Sequence, residues 1–509
     1  MGGSLKTTSP IALIAALLAS QTAFAATPDQ PAATPAAQGQ APLPGAAAPD
    51  QPIGQSSPKP AAGTAESLPG GRLGPAGLFQ TQRWTENWTK APPANAPLLD
   101  RIKHIPLTAD PSVYLTLGGS ERVYFTDWSH TVAGRTANDQ NRPVQSRARL
   151  YADLHATDYV RAYVELGDNR EWGNTAVTGP NQDQFDIYQA FVDVTVPLGK
   201  AGHITVRPGR YEMPVGNGKL LGVREGLNMR YTYQGVRASY LLPGHLSIDV
   251  FDVRPVNIKP GTFDDGPNHQ QLLRGIYVSS PHVLAGFGTD AYFYEFDKQK
   301  TTTYEQVGVD HRQNWGLRLW KKAKSFDFDL EGNLQRGHLA GQAIRAYAIL
   351  FETGYTFADK PLAPRIGLRA NLFSGDANAS DNKASTFVAA NPRLPLISEA
   401  AFFGLSNLMD LYPSVTVKPA RNLAISAGPD FLWRQHSADG IYVGPAGASF
   451  AAYNGSRAIG TDLNLEANWQ ASRRVSFRLY ETYLLASDSA QAHGMKNSNY
   501  FGLMSEFKF

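Results

Sequence analysis

From about residue 113 onward, one pattern repeats along the sequence: runs of roughly ten residues in which polar and apolar side chains alternate. In SRARLYADLHA, the odd positions from Arg147 to His155 are charged or aromatic, and the even positions between them are alanine or leucine. SFDFDLEGNLQ and RAIGTDLNLEANWQ divide in the same way, with carboxylates on one side. Because successive side chains of a β-strand point to opposite faces of the sheet, each set lies on one face. The pattern therefore predicts an all-β chain of half-buried strands.

Soluble sandwiches also alternate, and three further features favour a membrane barrel. The polar faces carry several charges per strand, which is more than a thin solvent-facing edge needs. The N-terminus has the pattern of an export signal. The final segment, NYFGLMSEFKF, alternates up to Phe509, with Phe501 and Leu503 at the same parity. Terminal-aromatic strands resemble the tail that the outer-membrane assembly machinery recognises. We therefore predict a transmembrane antiparallel β-barrel in the bacterial outer membrane.

The alternating segments number about 18, in a range of about 16–18, and an even number is usual for single-chain bacterial barrels. They begin near residues 113, 145, 159, 185, 202, 234, 245, 271, 287, 311, 325, 343, 364, 410, 422, 455, 473 and 499. Short links such as 242–245 and 471–474 are typical of periplasmic turns. Four long links are typical of external loops or of loops that fold into the bore: 212–233, 254–270, 375–407 and 436–454.

The chain before the barrel divides into three segments. MGGSLKTTSPIALIAALLASQTAFA combines one lysine, a short apolar run and a small-residue motif. This predicts a signal peptide over residues 1–25, since the run is shorter than the roughly 18 apolar residues of a membrane span. Residues 26–75, rich in alanine, proline and glutamine, are predicted to form a disordered linker. Residues 76–112 are predicted to be a periplasmic lead-in segment at the mouth of the barrel or just inside it, and the barrel itself spans 113–509.

Composition and motifs exclude several other classes of protein. The absence of cysteine excludes a disulfide scaffold and thiolate metal sites. The 47 basic residues nearly balance the 44 acidic ones, so nucleic acid is not an expected partner. No G-x-S-x-G, H-E-x-x-H or P-loop motif occurs, and GDANASDNKAS at 375–385 has only a weak calcium-like spacing. We predict no enzymatic activity, no cofactor and no metal.

A barrel of about 16–18 strands encloses a bore that is too wide for its own side chains to fill, so the inward residues set selectivity. Arginines on one wall and carboxylates on another would orient polar solutes, or the two signs would pair and stiffen the wall. The alternation places both signs on the bore: Arg147, Arg149, Arg161, Arg237, Arg345, Asp153, Glu165, Asp193, Asp327, Asp329, Glu331, Asp462 and Glu466.

The polar stretch GVREGLNMRYTYQGVR, at residues 222–237, has two interpretations. It folds into the bore, where Arg224, Arg230 and Tyr231 narrow the path. Irregular backbone is tolerated at membrane depth when it lines a water-filled cavity or is buried in protein. Alternatively it is an external loop, in which Glu225 pairs with a nearby arginine such as Arg230.

Several stretches resemble the alginate export family of outer-membrane barrels, in the same order over residues 83–509. They are RIKHIPL, YLTLGGSER, IYQAFVDV, RPGRYEMPVGNGKLLGVREGLNMRYTYQGVR, DVFDVRPVNIKPGTFDD, EAAFFGLSNLMDLYPSVTVKP and DFLWRQHSADGIY. The resemblance implies a barrel of about 18 strands that lets a secreted polysaccharide cross the outer membrane, with long loops that gate the pore. It also implies a selectivity filter rich in arginine, for which Arg149 and Arg210 are the candidates. The sequence departs from such a filter at two places. Glu212, two residues after Arg210, is an acid where a second basic residue would suit a polyanion better, and the pore-facing position in IYQAFVDV is the neutral Tyr188 or Gln189.

We therefore expect an outer-membrane channel for the passive passage of a polysaccharide, either neutral or anionic. The alternative is a substrate-selective porin for the uptake of small polar or anionic solutes; a barrel enzyme and an adhesin with a plugged bore are further rivals. The expected partners are outer-membrane lipids, a polysaccharide or small saccharide solute and a periplasmic export partner, and the barrel is expected to be a monomer. The expected path residues are Arg147, Arg149, Asp153, Arg161, Glu165, Arg210, Glu212, Arg224, Arg230, Arg237, Arg345, Asp462 and Glu466.

Overall fold

The computed structural model describes residues 79–509, except 137–138, 175–180, 227, 285, 304–305, 394–395 and 445–447. The predicted signal peptide at 1–25 and the predicted linker at 26–75 lie outside the described residues, as do the first three residues of the predicted lead-in segment.

Eighteen antiparallel strands form a closed barrel, which confirms the predicted fold class. Each strand pairs with its neighbours along the chain, and the last strand pairs with the first through a register that joins Trp128 to Tyr500. The strands are β1 (Tyr114–Trp128), β2 (Val144–His155), β3 (Val160–Trp172), β4 (Asp183–Pro197), β5 (His203–Tyr211), β6 (Tyr233–Leu242), β7 (Leu246–Asn257), β8 (Gln271–Leu284), β9 (Phe287–Thr303), β10 (Gln306–Lys322), β11 (Phe326–Leu339), β12 (Gln342–Thr356), β13 (Arg365–Phe373), β14 (Leu408–Ala420), β15 (Leu423–Arg434), β16 (Ala458–Gln470), β17 (Val475–Ala486) and β18 (Ser498–Lys508).

The remaining regular elements are short. They are the helices α1 (Leu98–Arg101) and α2 (Asp488–Ala492), two single turns of 3₁₀ helix (Arg83–Thr85, Gly199–Ala201) and the strand pieces Ile105–Pro106, Gly266–Pro267, Lys383–Ala384, Ile441–Val443 and Ala448–Phe450. None of the helices in the described part of the chain is long and apolar enough to cross a membrane.

The alternation of side chains separates an apolar outer surface from a polar bore. On β2, Leu150 points outward and is 55% exposed, whereas its neighbour Arg149 points inward and is 5% exposed. On β4, Val192 and Val194 lie on the outer surface, and Asp193 between them is fully buried. An outer face of this composition suits contact with lipid, because its exposed side chains are apolar. Closure of the barrel also lets the strands pair their backbone groups with one another and leaves no open sheet edge.

The two ends of the barrel differ in the length of their connections. At one end the strands are joined by short links, such as 243–245 and 421–422, as expected at the periplasmic side. At the other end lie long connections, above all 212–232, 374–407 and 435–457. These long connections are therefore assigned to the external side.

The 374–407 loop fills part of the bore. Its side chains Phe387, Leu396 and Phe402 are buried in an apolar cluster that also contains inward-facing residues of β12, among them Ile344 and Leu350. The loop also pairs with β12 directly, through the register of Lys383 and Ala384 with residues 343 and 344. This stretch of wall is apolar on its inner face because it packs against protein and not against water.

The lead-in segment enters the bore from the opposite end. Arg83 donates through Nη1 to the carbonyl of Gly119 (2.9 Å) and through Nη2 to the carbonyl of Phe509 (2.8 Å). Lys103, of which 1% is exposed, donates to the carbonyl of Leu117 (2.9 Å). The segment is thus fastened to the inner face of β1, near the place where β1 and β18 close the barrel.

Candidate functional site

The 212–232 loop crosses the bore and is attached to the far wall. The Nδ2 of Asn217 donates to Glu331 on β11 (3.0 Å). The Lys219 ammonium lies 3.6 Å from Asp329 on β11 and 3.5 Å from Glu352 on β12. The loop leaves from β5 and returns to β6, on the other side of the barrel from β11 and β12. These contacts therefore hold it across the bore as a polar segment.

The returning half of the same loop is held by the first strands of the barrel. The Glu225 carboxylate lies 2.9 Å from Arg147 on β2 and 3.6 Å from Arg122 on β1. Asn228 accepts from Arg122 (3.0 Å) and donates to the carbonyl of Ser146 (2.9 Å). Glu225 also pairs with Arg230 of its own loop, at 2.9 Å. The loop therefore lies in the bore, and the Glu225–Arg230 pair that the sequence suggested for an external loop exists within it.

The two in-folded loops are joined to each other. The amide of Gly222 donates to the carbonyl of Asn391 (2.8 Å), and the amide of Arg393 donates to the carbonyl of Lys219 (3.2 Å). The Asn391 side chain also donates to the hydroxyl of Tyr233 at the start of β6 (2.6 Å). The 212–232 and 374–407 loops thus form one hydrogen-bonded barrier inside the barrel.

A narrow polar cavity, here called the constriction, lies between this barrier and the lead-in segment. Six basic and four acidic side chains line it, which leaves a formal excess of positive charge. The lining residues are Thr81, Arg83, Ser120, Arg147, Arg149, Glu165, Tyr188, Gln189, Glu212, Glu225, Arg230, Arg478, Met504, Glu506 and Lys508.

Many inward charges pair across neighbouring strands. Arg161 on β3 binds Asp153 on β2 through Nε and Nη2, both at 2.6 Å. Arg207 on β5 binds Asp193 on β4 in the same two-pronged manner, at 2.6 and 2.7 Å. Bidentate pairs of this kind fix both side chains, so these residues stabilise the barrel wall.

Arg149 is different, because its partners are neutral. Its Nη1 donates to the side-chain oxygen of Asn169 (2.9 Å) and to the carbonyl of Ala148 (3.0 Å). The guanidinium lies 3.9 Å above the ring of Tyr188, which is a cation–π contact. Among the described residues, no carboxylate comes within ion-pair distance of Arg149, so its charge is directed toward the constriction.

Two acids complete this part of the constriction. Glu165 accepts from the side chains of Gln189 (2.5 Å) and Tyr163 (3.2 Å). Glu212, in the 212–232 loop, accepts from the Tyr188 hydroxyl and pairs with Arg230 at 2.7 Å. Burial raises the pKa of Glu212 to about 7, against the opposing effect of Arg230. The net charge of the constriction therefore depends on pH near neutrality.

The other residues expected along the path lie outside the constriction. Arg210 donates to the carbonyl of Ile187 (2.8 Å), Arg224 contacts the hydroxyl of Tyr231, and Arg237 pairs with Asp249 on β7 (2.8 Å). Two acids lie on the bore face of β16. They are Asp462, which stands in register with Asp430, and Glu466, which accepts from Asn468.

The prediction that Arg345 faces the bore was wrong. Arg345 is exposed on the same face of β12 as Tyr347 and Ile349, which is the outer surface. Polarity alone predicts the opposite assignment of the two faces of β12, because the bore side of this strand is apolar where it packs on the 374–407 loop.

The sequence reasoning missed several charged residues of the bore. Arg369 on β13 binds both Asp410 (3.0 Å) and Asp430, and Arg122 and Arg478 face the bore from β1 and β17. Arg478 interrupts VSFRLYE at a position whose parity, read from the strand, would have placed it inside. Asn217 and Lys219 gave no such signal, since they lie in a loop without periodicity.

A closed barrel with an apolar outer surface and a charged, loop-crossed bore defines an outer-membrane channel of the bacterial cell. A sequence model of the alginate export family matches residues 113–503, and the chain belongs to that family. No curated protein sequence matches this chain.

Several solved structures resemble the chain at low sequence identity, and an outer-membrane protein is among them. OpdK of Pseudomonas aeruginosa aligns with a TM-score of 0.51 and 9% identity over 78% of this chain and 98% of its own. OccK9 (OpdG) of the same organism aligns with a TM-score of 0.53, 9% identity and the same two coverages. OccAB3 of Acinetobacter baumannii aligns with a TM-score of 0.50 and 10% identity, over 78% and 99%. These likenesses show the fold. Membership of the alginate export family indicates transport.

Proposed function

We propose that this protein is a gated channel through which a polysaccharide that carries acidic groups crosses the outer membrane passively. The observation that supports this most is Arg149, an inward guanidinium in the constriction whose hydrogen-bond partners are neutral. A carboxylate on a passing sugar would gain a charge-assisted hydrogen bond there without first breaking an ion pair. The Tyr188 ring beneath the guanidinium holds it in place.

The in-folded loops act as the gate of this channel. A polymer needs an open path along the whole bore, and the barrier formed by the 212–232 and 374–407 loops obstructs it. The 212–232 part of the barrier is fastened to the wall by polar contacts, among them those of Lys219 and Glu225. Release of these contacts would open the path while the hydrogen-bonded wall stays intact. We propose that the barrel works as a monomer and receives its polymer from a periplasmic export partner.

The test is single-channel recording in a planar bilayer, with reversal potentials in a KCl gradient and with polyuronate or a neutral glucan added as a blocker. We expect weak anion selectivity and block by the polyuronate. In Arg149→Gln both should decrease. Arg345→Gln is the matched control, because it removes an arginine of the outer surface. Equal block by both polymers, or unchanged selectivity in Arg149→Gln, would reject an acidic polysaccharide.

The second candidate is a porin for the uptake of small polar or anionic solutes. The loop barrier favours it, because a small solute passes a narrow constriction without removal of the loops. The two candidates differ in a liposome-swelling assay: a porin admits small acids and monosaccharides with the loops closed, whereas a gated polysaccharide channel admits them only in variants that release the barrier.

A further inference from the structure

Four aspartates from two separate parts of the chain meet at the external end of β4. Asp183 and Asp186 belong to β4, and Asp264 and Asp265 belong to the connection between β7 and β8. One carboxylate oxygen of each lies within 4.8 Å of those of the other three. No other group of three or more histidines, acids or cysteines in the described ranges is arranged closely enough to hold a metal ion.

The cluster contains a buried carboxylate oxygen without a partner. Asp183 is 2% exposed, and its Oδ1 has no hydrogen-bond partner in the part of the chain that the structure describes. The Oδ1 of Asp264 is likewise buried and without a partner there. A buried carboxylate that is neither paired nor hydrogen-bonded is costly, so these oxygens indicate that a cation completes the group.

The basic residues nearby do not supply that cation. The Arg210 guanidinium lies 3.8 Å from Asp186, and its Nη2 donates to the backbone carbonyl of Asp265 (3.2 Å). The Lys259 ammonium donates to the backbone carbonyl of Asp264 (2.6 Å). Of these two side chains, only Arg210 lies within ion-pair distance of a carboxylate of the cluster. No ion pair with Asp183 is formed in the part of the chain that the structure describes.

The carboxylates are held in position by backbone amides. Asp186 accepts from Ile187 (2.6 Å) through one oxygen and from Asp264 (2.9 Å) and Asp265 (3.2 Å) through the other. Asp265 accepts from the amide of Lys259 (2.7 Å). The carboxylates of Asp186 and Asp265 are therefore oriented before a ligand binds.

We propose that Asp183, Asp186, Asp264 and Asp265 bind one Ca²⁺ ion, which clasps the 258–270 connection to β4. Calcium takes carboxylate oxygens at about 2.3–2.6 Å, so ligands on opposite sides of one ion are up to about 5 Å apart. The observed limit of 4.8 Å fits that span. Magnesium needs oxygens at about 2.0–2.1 Å in strict octahedral geometry and keeps several waters, which suits four crowded carboxylates less well.

The aspartate cluster lies next to the 212–232 loop of the barrier. Asn228 of the 212–232 loop donates to the carbonyl of Asn181 (2.8 Å), two residues before Asp183. Asp183 also stands in register with Asn169, the partner of Arg149. Bound calcium would fix the wall against which the loop and the free arginine are placed.

The test is equilibrium dialysis of the full-length barrel, folded in detergent and stripped with EDTA, against radioactive CaCl₂. We expect one Ca²⁺ per barrel, and at least about tenfold weaker binding in Asp183→Asn/Asp264→Asn, since removal of two of four charged ligands lowers calcium affinity steeply. The matched control is Asp376→Asn/Asp381→Asn, which changes two acids of the 374–407 loop whose oxygens bind backbone amides of that loop. The control should bind as the wild type does.

Heat-modifiable migration on SDS gels establishes that each variant is folded. If the double variant does not fold, Asp264→Asn alone is measured, because it changes only a loop residue and should still weaken binding. No Ca²⁺ bound by the folded wild-type barrel at millimolar concentration would overturn the proposal. So would retention of full affinity in the variants, or displacement of Ca²⁺ by an equal concentration of Mg²⁺.

Discussion

Replacing Glu225 by glutamine should open the channel. Glu225 is the one carboxylate of the 212–232 loop that Arg122, Arg147 and Arg230 share, at 3.6, 2.9 and 2.9 Å. Glutamine keeps the shape of the side chain and removes its charge. Two of the arginines, on β1 and β2, are almost completely buried and would face a neutral amide across the same distances.

The size of the effect follows from that burial. Removal of one partner from a buried ion pair costs about 3–5 kcal/mol. The lower end applies here, since Glu225 is 17% exposed and both wall arginines keep hydrogen bonds to Asn228. About 3 kcal/mol corresponds to a shift of roughly 100-fold in the ratio of closed to open loop.

Single-channel recording measures this ratio as open probability. Glu506→Gln is the matched control: Glu506 lines the same constriction but belongs to β18 and pairs with Lys508 at 2.8 Å. Both variants should make the constriction more attractive to anions, and only Glu225→Gln should raise open probability. An open probability equal to that of the wild type, in a folded Glu225→Gln barrel, would refute the assignment of this loop as the gate.

Two further predictions concern pH and the external loops. Because the pKa of Glu212 is raised to about 7, its carboxylate is charged at pH 8 and mostly protonated at pH 6, so anion selectivity should rise as the pH falls. Reversal potentials measured across that range check this, and a Glu212→Gln barrel should show a smaller pH dependence. Arg434, fully buried at the end of β15, donates to the carbonyls of Ser437, Asp439, Tyr453 and Ser456 and so holds the 435–457 loop. Arg434→Met should destabilise that loop by about 2–4 kcal/mol, since four acceptors lose a charged donor; limited proteolysis should cut the loop at least tenfold faster while the barrel stays intact, and an unchanged rate would contradict this role.

The strands could be predicted closely, because alternation is a local property. Predicted starts at 271 and 287 coincide with Gln271 and Phe287, and most others differ by one to three residues. The largest difference is β10, predicted from 311 and observed from Gln306. Its hairpin with β9 continues beyond the stretch that a bilayer requires, so the pattern expected of a membrane strand does not mark its end.

Which face of a strand points into the bore was harder to predict from the sequence than where the strand begins and ends. Alternation divides side chains into two sets, and polarity then decides which set is inside. That rule holds on β2, where the inner face is charged, and fails on β12, where Ile344 and Leu350 pack against the 374–407 loop inside the bore. Nothing near Arg345 in the sequence reveals that the 374–407 loop covers this wall.

The pairing of charges could not be predicted, because partners come from distant parts of the chain. The constriction brings together Arg147, Tyr188 and Glu225, and the aspartate cluster joins residues about 80 positions apart, with backbone bonds from Asp264 and Asp265 to Asp186. The only calcium-like spacing visible in the sequence, at 375–385, proved to be a loop whose acids bind its own amides. Proximity along the chain was therefore a poor guide to which acids gather.

The charged residues of the bore fall into groups that differ in the partners they have. Pairs between adjacent strands, such as Arg161 with Asp153, are fixed by the register of the wall and cannot be released without unpairing strands. Pairs between wall and loop, such as Arg147 with Glu225, can break while the barrel remains closed, so they suit a gate. Arg149 belongs to neither group, since its partners are neutral and it lies beside the loop. A negatively charged solute could therefore bind Arg149 without displacing another carboxylate. It would reach Arg149 only after the ion pairs between wall and loop have broken and the loop has moved aside.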